Sequence, residues 1–477
     1  MNRPAILLAA LLSLIVSACA TRPAAAPAPA SLADLALRID GDLATSPFDH
    51  ALWGIHVEED DGTVLYSRNA GILMMTASNR KLFTTALTQS CFGLDERIPT
   101  ELWAEGSVSG GVLAGNLVLK GYGDPSFVGR YDEGLRDERL RPLLEGLRAR
   151  GIERVLGSVL GDGSELDRIT FHGTWQIEDI GTSYQTPIDG LAFNEDVVGV
   201  FHGAPRCDAI WVATDPPFVE ADAALECGDR ERITLATDAE NRVHVEGTVR
   251  GPAEGLEVDL VSVRDGALYA AQGVHDFLVR SGIAIDNPPR TGAASRDASR
   301  VASIESPPLF ELLATMMKVS QNLYADTLFK RASIGNEPAS FQRSLELERL
   351  FLVTEVGIDP TEFHFADGSG LSVRNLVTPR AIVRLLRWLD AEPRREENFM
   401  IFATPGEAGT LSRRLAGLED RMRGKTGTIS GVNTLSGYVI SPRGHRRYFS
   451  ILANHHAGGS RAAIAIIDAI VQKVADF

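Results

Sequence analysis

Residues 76–81, TASNRK, run directly into the apolar stretch LFTTAL at residues 82–87, and the rest of the chain is organised around this junction. If a helix begins here, Ser78 and Lys81 lie one turn apart on one face, with Ser78 near the positive end of the helix dipole. A buried lysine can lose its proton at neutral pH, and a neutral amine that touches a serine hydroxyl can accept the hydroxyl proton. The pair therefore predicts a nucleophilic serine with a lysine base beside it.

Ser-x-x-Lys is a weak motif by itself, because roughly 0.4 such pairs are expected by chance in a chain of this composition. The chain contains 47 Lys and Arg residues, of which only six are lysines. A composition that uses arginine almost everywhere has lysine at position 81. Arginine could not replace it as a base, because the guanidinium group stays protonated.

Length and composition describe a globular protein. The 477 residues are 44% hydrophobic and 23% charged, which is enough for two or three domains. The formal net charge of −16 argues against a nucleic-acid partner, since no basic stripe offsets the acidity. An anionic polymer would have to bind at a local basic site.

The N-terminal segment reads as an export signal of the lipoprotein type. Arg3 precedes an apolar run over residues 5–16, which is too short to span a membrane and ends at Val-Ser-Ala-Cys. This ending resembles the bacterial lipobox, which predicts a signal peptide over residues 1–18 and lipidation of Cys19. An ordinary signal peptide cleaved nearby is the alternative. Residues 19–30 then have the composition of a tether.

Export also predicts the state of the cysteines and the location of the protein. Disulfides persist in an oxidising compartment, so we expect Cys207 and Cys227 to pair, whereas Cys91 is expected to be a buried free thiol. Cys19 would anchor the protein at the periplasmic face of a bacterial membrane. Ala20 is not the Asp associated with inner-membrane retention in enteric bacteria, which favours the outer membrane.

The order of predicted elements indicates a split domain. Two strands around residues 53–67 lead to the Ser78 helix, and two strands around residues 434–454 lead to a closing helix. We expect these to be two parts of one sheet domain, residues 31–97 and 299–477, which the chain leaves and re-enters. Residues 98–298 would then form two smaller inserted domains, an α/β unit (98–193 plus 268–298) and a β-rich unit (194–267).

Two further short patterns follow the first. Ser320-Gln321-Asn322 is weak alone, and its plain interpretation is a helix end or surface loop. The run Lys425, Thr426, Gly427 and Thr428 is more informative, since chance supplies about 0.03 Lys-Thr-Gly triplets in such a composition. A strand that carries this run can form one wall of a cleft for an extended peptide ending in a carboxylate.

The three patterns, in this order, resemble those of the serine penicillin-recognising enzymes, Ser-x-x-Lys, Ser-x-Asn and Lys-Thr-Gly. The gap of more than 200 residues between the first two is similar to that of the class C low-molecular-mass penicillin-binding proteins. These are D-alanyl-D-alanine carboxypeptidases and endopeptidases. Further matching segments lie at residues 119–127, 161–164, 175–194 and 367–372.

The resemblance implies an α+β fold and an acyl-enzyme mechanism. The fold is a transpeptidase/β-lactamase-like domain with an antiparallel sheet and helices on both faces, split by a large insertion. Ser78 would attack the D-Ala-D-Ala peptide bond of peptidoglycan stem peptides, with Lys81 as general base, and β-lactams would acylate the same serine. Neither a cofactor nor a metal ion is required.

The second and third patterns receive their roles from the same resemblance. Ser320 would relay a proton to the leaving amine, and Asn322 would hold the substrate amide. Lys425 would supply positive charge. The segment Thr426, Gly427 and Thr428 would bind substrate, the two threonines holding its terminal carboxylate. The backbone N–H groups of Ser78 and Thr428 would form the oxyanion hole.

The sequence departs from the family pattern at two positions. Gln321 stands where the family often has an acid, which leaves the flanking Ser and Asn in place. Val373 stands where the family tends to place an arginine, and Arg374 comes one residue later. The preference for a diamino-acid-linked stem peptide is therefore open.

Three other functions compete with this interpretation. A β-lactamase or esterase could use the same catalytic set, although compact β-lactamases lack a large insertion. A non-catalytic peptidoglycan-binding lipoprotein would be expected to lose Ser78, Lys81 or Lys425, and all three are present. An α/β-hydrolase would need Gly-x-Ser-x-Gly, which the sequence does not contain. The balance of carboxypeptidase and endopeptidase activity and the oligomeric state are left open.

Overall fold

The structure is a computed structural model that describes residues 31–477 apart from 133–134, 205, 207–209, 216, 239 and 252. The predicted signal peptide and Cys19 therefore lie outside the described residues. In the part that is described, no helix combines the length and the apolar character needed to cross a bilayer.

The helices are mostly one to four turns long. Their bounds are α1 (Leu32–Leu43), α2 (Lys81–Phe92), α3 (Arg136–Ala149), α4 (Gly266–Arg280), α5 (Leu309–Lys318), α6 (Asn322–Arg331), α7 (Phe341–Phe351), α8 (Pro379–Ala391), α9 (Arg395–Met400) and α10 (Ser460–Asp476). Local signals fix several of their starts. For example, the Thr378 hydroxyl caps α8 by accepting a hydrogen bond from the Ala381 N–H at 3.2 Å, and Pro379 occupies the first turn.

The strands before the middle of the chain are β1 (Leu52–Glu59), β2 (Val64–Arg68), β3 (Met74–Met75), β4 (Pro99–Ala104), β5 (Ser107–Ser109), β6 (Val112–Ala114), β7 (Leu117–Gly121), β8 (Arg154–Val155), β9 (Val159–Asp162), β10 (Val197–Ala204), β11 (Trp211–Asp215) and β12 (Ala221–Cys227). The later strands are β13 (Arg232–Thr237), β14 (Val243–Val249), β15 (Ala253–Ser262), β16 (Ala284–Ile285), β17 (Arg290–Thr291), β18 (Ser299–Glu305), β19 (Phe363–His364), β20 (Leu376–Val377), β21 (Met422–Ile429), β22 (Val432–Ile440) and β23 (Arg446–Asn454).

The sheet that carries the site joins the two ends of the chain. Its strand order is β2-β1-β23-β22-β21, and every neighbouring pair is antiparallel. The hairpin β1–β2 was predicted from the sequence, and β1 pairs with β23 from Leu52 opposite Asn454 to Glu59 opposite Arg447. The expectation that the chain leaves one sheet and later re-enters it is therefore confirmed.

Helices cover both faces of this sheet, because side chains alternate between the faces along each strand. Ile451 packs with α1 and α10 through Leu35 and Ile467, whereas its neighbour Leu452 packs with α2 and α8 through Leu82 and Ile382. The predicted α+β arrangement, an antiparallel sheet between helical layers, is confirmed. The buried face of α2 places the Ser78 turn at one edge of the sheet.

The inserted segment builds five-, four- and three-stranded sheets of its own. The largest has the order β17-β9-β7-β4-β18, and β18 pairs with β4, so this sheet extends beyond the predicted boundary at residue 298. One hydrophobic cluster joins Leu143 of α3 and Val274 of α4 with Val200 of β10 and Val245 of β14. The two predicted inserted units thus share a core in the described residues.

Candidate active site

Ser78 lies in a 3₁₀ turn, Ala77–Arg80, that leads directly into α2. The helix predicted at this position is confirmed, although its first turn is tighter than an α-helix. Ala77 has a φ of 43°, in the left-handed region that costs a non-glycine residue on the order of 1–3 kcal/mol. The strained residue directly precedes the serine, and the turn leaves Ser78 partly accessible at the start of a helix whose first two turns are buried.

Lys81 is fully buried and contacts three groups at once. Its Nζ donates to Ser78 Oγ at 3.0 Å, to Asn322 Oδ1 at 2.6 Å and to the Ser369 carbonyl at 2.8 Å. Burial lowers the pKa of Lys81 to about 7, while nearby carboxylates act in the opposite direction. A neutral Lys81 has two hydrogens for Asn322 and Ser369, which leaves its lone pair for the Ser78 hydroxyl.

Ser320 occupies the break between α5 and α6, and Asn322 begins α6. Ser320 has a φ of 65°, so both serines of the site are next to or at a left-handed residue. Ser320 Oγ accepts a hydrogen bond from Lys425 Nζ at 2.9 Å. The structure thus connects the five predicted catalytic residues through three hydrogen bonds, two from Lys81 and one from Lys425.

The edge strand β21 forms the wall of the site. The Lys425 Nζ also donates to the carbonyl of Thr426 at 2.7 Å. Lys425 is fully buried, and this burial, followed by the charge of Lys81, lowers its pKa well below the ordinary value. A bound carboxylate would favour the charged ammonium, which is the form that the predicted role of Lys425 requires.

Backbone alternation along β21 identifies the groups that face the cleft. The N–H of Gly424 donates to the Ala403 carbonyl on the side of the strand away from β22. Residues two and four positions later, Thr426 and Thr428, have their N–H and C=O groups on the same outer edge. A methyl group on Gly427 would stand 2.8 Å from the Ser78 N–H nitrogen, so this edge lies against the Ser78 turn.

A loop that the sequence analysis did not assign to the mechanism holds the other side of the site. The carboxylate of Asp367 accepts hydrogen bonds from the Gly370 and Ser372 N–H groups, from the Asn375 side chain and from Trp175 Nε1, all between 2.7 and 3.0 Å. The Asp-Gly-Ser-Gly composition of residues 367–370 signals a tight turn. The composition of the turn does not indicate that its Ser369 carbonyl accepts a hydrogen bond from Lys81.

The inserted segment reaches the site directly. Asn322 Nδ2 donates to the Tyr184 carbonyl at 2.9 Å, and the Thr174 and Ser372 hydroxyls are 2.6 Å apart. Both contacts come from the stretch between β9 and β10, part of which matches the family pattern. The insertion therefore forms part of the wall of the cleft.

A buried ion pair between Arg80, which directly precedes α2, and Glu348 of α7 stabilises the start of α2. The guanidinium of Arg80 donates to both carboxylate oxygens of Glu348 at 2.7 Å and to the Asp367 carbonyl at 2.6 Å. It also lies 4.1 Å from the ring centre of Phe365 and 4.8 Å from that of Phe329. Because Arg80 is fully buried, every one of these contacts is shielded from water.

The remaining sequence predictions have mixed outcomes. Cys227 is disulfide-bonded, and its predicted partner Cys207 lies outside the described residues, so the pairing stays a prediction. Cys91 is a free thiol as expected, but it is exposed, so the prediction of burial was wrong. It lies in the last turn of α2, on the side away from the hydrophobic core. Val373 and Arg374 are exposed as well.

Comparison with known proteins gives matches that span the chain. The model of the D-Ala-D-Ala carboxypeptidase 3 (S13) family matches residues 35–476. A D-alanyl-D-alanine carboxypeptidase of Actinomadura sp. (strain R39) is 30% identical over 481 residues, which cover 94% of this chain and 86% of the relative. The carboxypeptidase DacB of Haemophilus influenzae is 25% identical over 83% of this chain and 84% of its own length.

The fold also matches a crystal structure. Penicillin binding protein 4 (dacB) from Haemophilus influenzae superposes with a TM-score of 0.80 at 22% identity, over 92% of this chain and 99% of that one. A second structure of that protein, complexed with a β-lactam, gives a TM-score of 0.76. At this identity the structural matches establish the fold alone.

Proposed function

The chain belongs to the D-Ala-D-Ala carboxypeptidase 3 (S13) family, and we propose that Ser78 is the nucleophile of this serine-type D-Ala-D-Ala carboxypeptidase. The observation that carries the assignment is the 3.0 Å contact between Lys81 Nζ and Ser78 Oγ. A lysine pKa near 7, produced by burial, leaves a large share of the amine neutral at physiological pH. Ser78 thus has a base within hydrogen-bond distance.

The contacts support the following acylation step. Neutral Lys81 removes the proton from Ser78 Oγ as the oxygen attacks the carbonyl carbon of the penultimate D-Ala of a peptidoglycan stem peptide. The carbonyl oxygen becomes an oxyanion, which accepts hydrogen bonds from the N–H groups of Ser78 and Thr428. Each such donor contributes a few kcal/mol in enzymes of this kind.

Collapse of the tetrahedral intermediate breaks the peptide bond. The proton that Lys81 took from Ser78 passes to the departing D-Ala amine through the Ser320 hydroxyl, which the adjacent Lys425 contacts, so Lys81 becomes neutral again. Asn322 donates one side-chain hydrogen to Tyr184 and accepts from Lys81, so it is held rigidly where the substrate amide would bind. Water then attacks the acyl ester on Ser78, restoring the hydroxyl and releasing the shortened peptide.

The outer edge of β21 is proposed to bind the substrate terminus. Thr428 is exposed and Thr426 is buried, with Gly427 between them against the Ser78 turn. An extended peptide can align along this edge, with its terminal carboxylate at the two threonine hydroxyls and near Lys425. A β-lactam, whose carboxylate and strained amide imitate the peptide terminus, would acylate Ser78 in the same orientation.

Replacement of the serine tests the assignment. Ser78→Ala is expected to abolish both covalent labelling by fluorescent penicillin and D-Ala release from a pentapeptide. Ser90→Ala, at an exposed position near the other end of α2, is the matched control and should leave both activities unchanged. Labelling that persists in Ser78→Ala would refute the assignment.

Endopeptidase activity is a separate part of the proposal. A peptide that aligns along the edge strand β21 can continue on both sides of the scissile bond. Incubation of residues 31–477 with a pentapeptide monomer and with a cross-linked muropeptide dimer separates the two activities. Cleavage of the monomer alone would restrict the enzyme to carboxypeptidase action.

The lipid anchor is proposed from the sequence. Lipidation of Cys19 would hold the catalytic domain at the periplasmic face of a bacterial membrane, with the outer membrane favoured by Ala20. Mass spectrometry of the membrane fraction should find a modified N-terminal Cys19, and Cys19→Ser should release the protein. An unmodified terminus at another residue would contradict the proposal.

A further inference from the structure

Asp326 lies one helical turn after Asn322 on α6, so the two side chains are on the same face of the helix. Asn322 Oδ1 accepts directly from Lys81 Nζ at 2.6 Å. Asp326 is fully buried on the same side of α6. None of the three sequence motifs contains Asp326, and the acylation mechanism above does not use it.

The carboxylate of Asp326 holds a turn that connects α6 to α2. Asp326 Oδ1 accepts hydrogen bonds from the N–H groups of Gly368 at 2.7 Å and Ser369 at 3.0 Å. The carbonyls of the same two residues point to α2, where Thr84 Oγ1 donates to Gly368 at 2.6 Å and Lys81 Nζ donates to Ser369 at 2.8 Å. One carboxylate oxygen therefore aligns the peptide that presents a carbonyl to the lysine.

Close packing leaves this turn little freedom. A methyl group on Gly368 would stand 2.4 Å from the Phe329 Cβ and 2.8 Å from the Ala325 carbonyl, both on α6. The turn thus lies directly on the helix that carries Asp326. Any change in the two N–H bonds would be transmitted to the Ser369 carbonyl.

The second oxygen of Asp326, Oδ2, has no hydrogen-bond partner within the described residues, although it is buried. The charged groups that face Lys81 are Asp326 from α6, Asp367 from the neighbouring loop, Arg80 from its own turn and Lys425 from β21. Asp367 has its carboxylate bonded by four donors, and Arg80 is paired with Glu348. Among these four groups, Asp326 alone has a side-chain polar atom without a hydrogen-bond partner within the described residues.

We propose that Asp326 is a positioning residue for Lys81: it holds the Ser369 carbonyl against the amine and places a buried carboxyl group beside it. The proposal rests on Lys81 acting as the base for acylation of Ser78. Burial raises the pKa of Asp326 to about 7 and lowers that of Lys81 to about 7, and the charge of each group opposes the effect of burial on the other. The charge on Asp326 thus favours the protonated lysine.

The test measures the rate constant for acylation by fluorescent penicillin as a function of pH. In Asp326→Asn the amide oxygen can still accept both N–H bonds, but the charge is gone. The acid limb of the profile should therefore move toward lower pH by about one unit, with less than a tenfold change in the plateau. Asp326→Ala should show the same displacement with a plateau lowered about tenfold or more, because the turn is no longer held.

Two further variants separate positioning from general damage. Asp326→Glu keeps the charge, so its acid limb should stay at the wild-type pH even if its plateau falls. Asp189→Asn removes a half-buried carboxyl that also accepts a backbone N–H bond, but one in the inserted segment and not among the groups that act on Lys81. This variant should keep the acid limb of its pH profile at the wild-type pH.

An acid limb at the wild-type pH in Asp326→Asn would overturn the proposal, whatever the plateau. If thermal unfolding shows that Asp326→Asn is not folded, the comparison of Asp326→Ala with Asp326→Glu tests the proposal instead. Acid limbs at the same pH in the profiles of these two variants would overturn the proposal equally. Failure of this proposal is distinguishable from failure of the proposed function, which would appear as labelling of Ser78→Ala.

Discussion

Gln321 Nε2 donates a hydrogen bond to Glu195 Oε2 at 2.7 Å, which ties the middle of the Ser320–Asn322 loop to the inserted segment. Glu195 also accepts from the Arg130 guanidinium at 2.6 and 2.8 Å and from the Tyr324 hydroxyl at 3.2 Å. Glu195 itself has a φ of 54°, in the left-handed region. The inserted segment therefore stabilises the strained backbone that presents Ser320.

A charge at position 321 should weaken this support. Gln321→Glu removes the donor and places a second carboxylate against Glu195, so the loop that carries Ser320 and Asn322 should shift. We expect acylation by fluorescent penicillin to slow by about tenfold, equivalent to ~1.4 kcal/mol. The stopped-flow rate of labelling measures the effect.

The reciprocal exchange provides the control. In Gln321→Glu combined with Glu195→Gln, one amide and one carboxylate again face each other, although the pair with Arg130 is lost. The double variant should recover part of the lost rate relative to Gln321→Glu. A double variant slower than both single variants would show that the hydrogen bond between these residues does not position the loop.

Gly370 should be essential for the position of Ser78. Its φ is +93°, and a methyl group there would stand 2.0 Å from the Ala77 carbonyl and 3.1 Å from the Ser78 nitrogen. Gly370→Ala is therefore expected to displace the nucleophile and to reduce the acylation rate on the order of 10²-fold. Labelling kinetics on the purified variant measure this loss.

Gly444→Ala is the matched control for backbone strain. Gly444 has a similar φ of +88°, but nothing lies within 4 Å of a methyl group added there. Both variants carry the cost of a left-handed alanine, which lowers the thermal midpoint, whereas only Gly370→Ala should lose activity. Equal losses of activity in both would contradict the role of Gly370.

The activity should depend on pH through Lys81. Below its pKa of about 7 the amine carries the extra proton and cannot accept that of Ser78. The acylation rate should therefore fall about tenfold for each pH unit below 7 and level off above it. A pH profile of penicillin labelling between pH 5 and 9 measures this dependence.

Lys81→Arg tests which residue causes the fall in the acylation rate at low pH, the acid limb of the profile. A guanidinium remains charged throughout the range, so the variant should lose acylation at every pH. Lys120→Arg, on β7 and in an ion pair with Glu165, should keep the wild-type profile. A wild-type acid limb in Lys81→Arg would assign the base to another group.

The buried ion pair of Arg80 with Glu348 should be important for the stability of the protein. Glu348→Ala leaves the buried guanidinium of Arg80 without its carboxylate, and loss of one member of a buried pair costs about 3–5 kcal/mol. We expect a clear fall in the free energy of unfolding, measured by urea denaturation. The exposed pair of Arg141 with Glu138 offers the comparison, since Arg141→Ala should change stability by less than about 1 kcal/mol.

Local patterns were sufficient for the elements that carry the site. The hairpin before Ser78, the helix after it and the two strands that follow the Lys425 motif each have a periodicity or turn signal within a few residues. The exposure of Cys91 could not be predicted in the same way. Its exposure depends on which face of the last turn of α2 meets the core, and the apolar run earlier in the helix suggested that Cys91 was buried.

The sequence by itself determined which chemical groups are present, their order along the chain and the division of the catalytic set between the two ends of a split domain. Only the tertiary structure decided that Asp326 lies behind Lys81, that Glu195 supports Gln321 and that the Tyr184 carbonyl holds Asn322. These contacts join residues that are more than 100 positions apart. Their geometry depends on how helices and loops pack against each other, and no local periodicity records that packing.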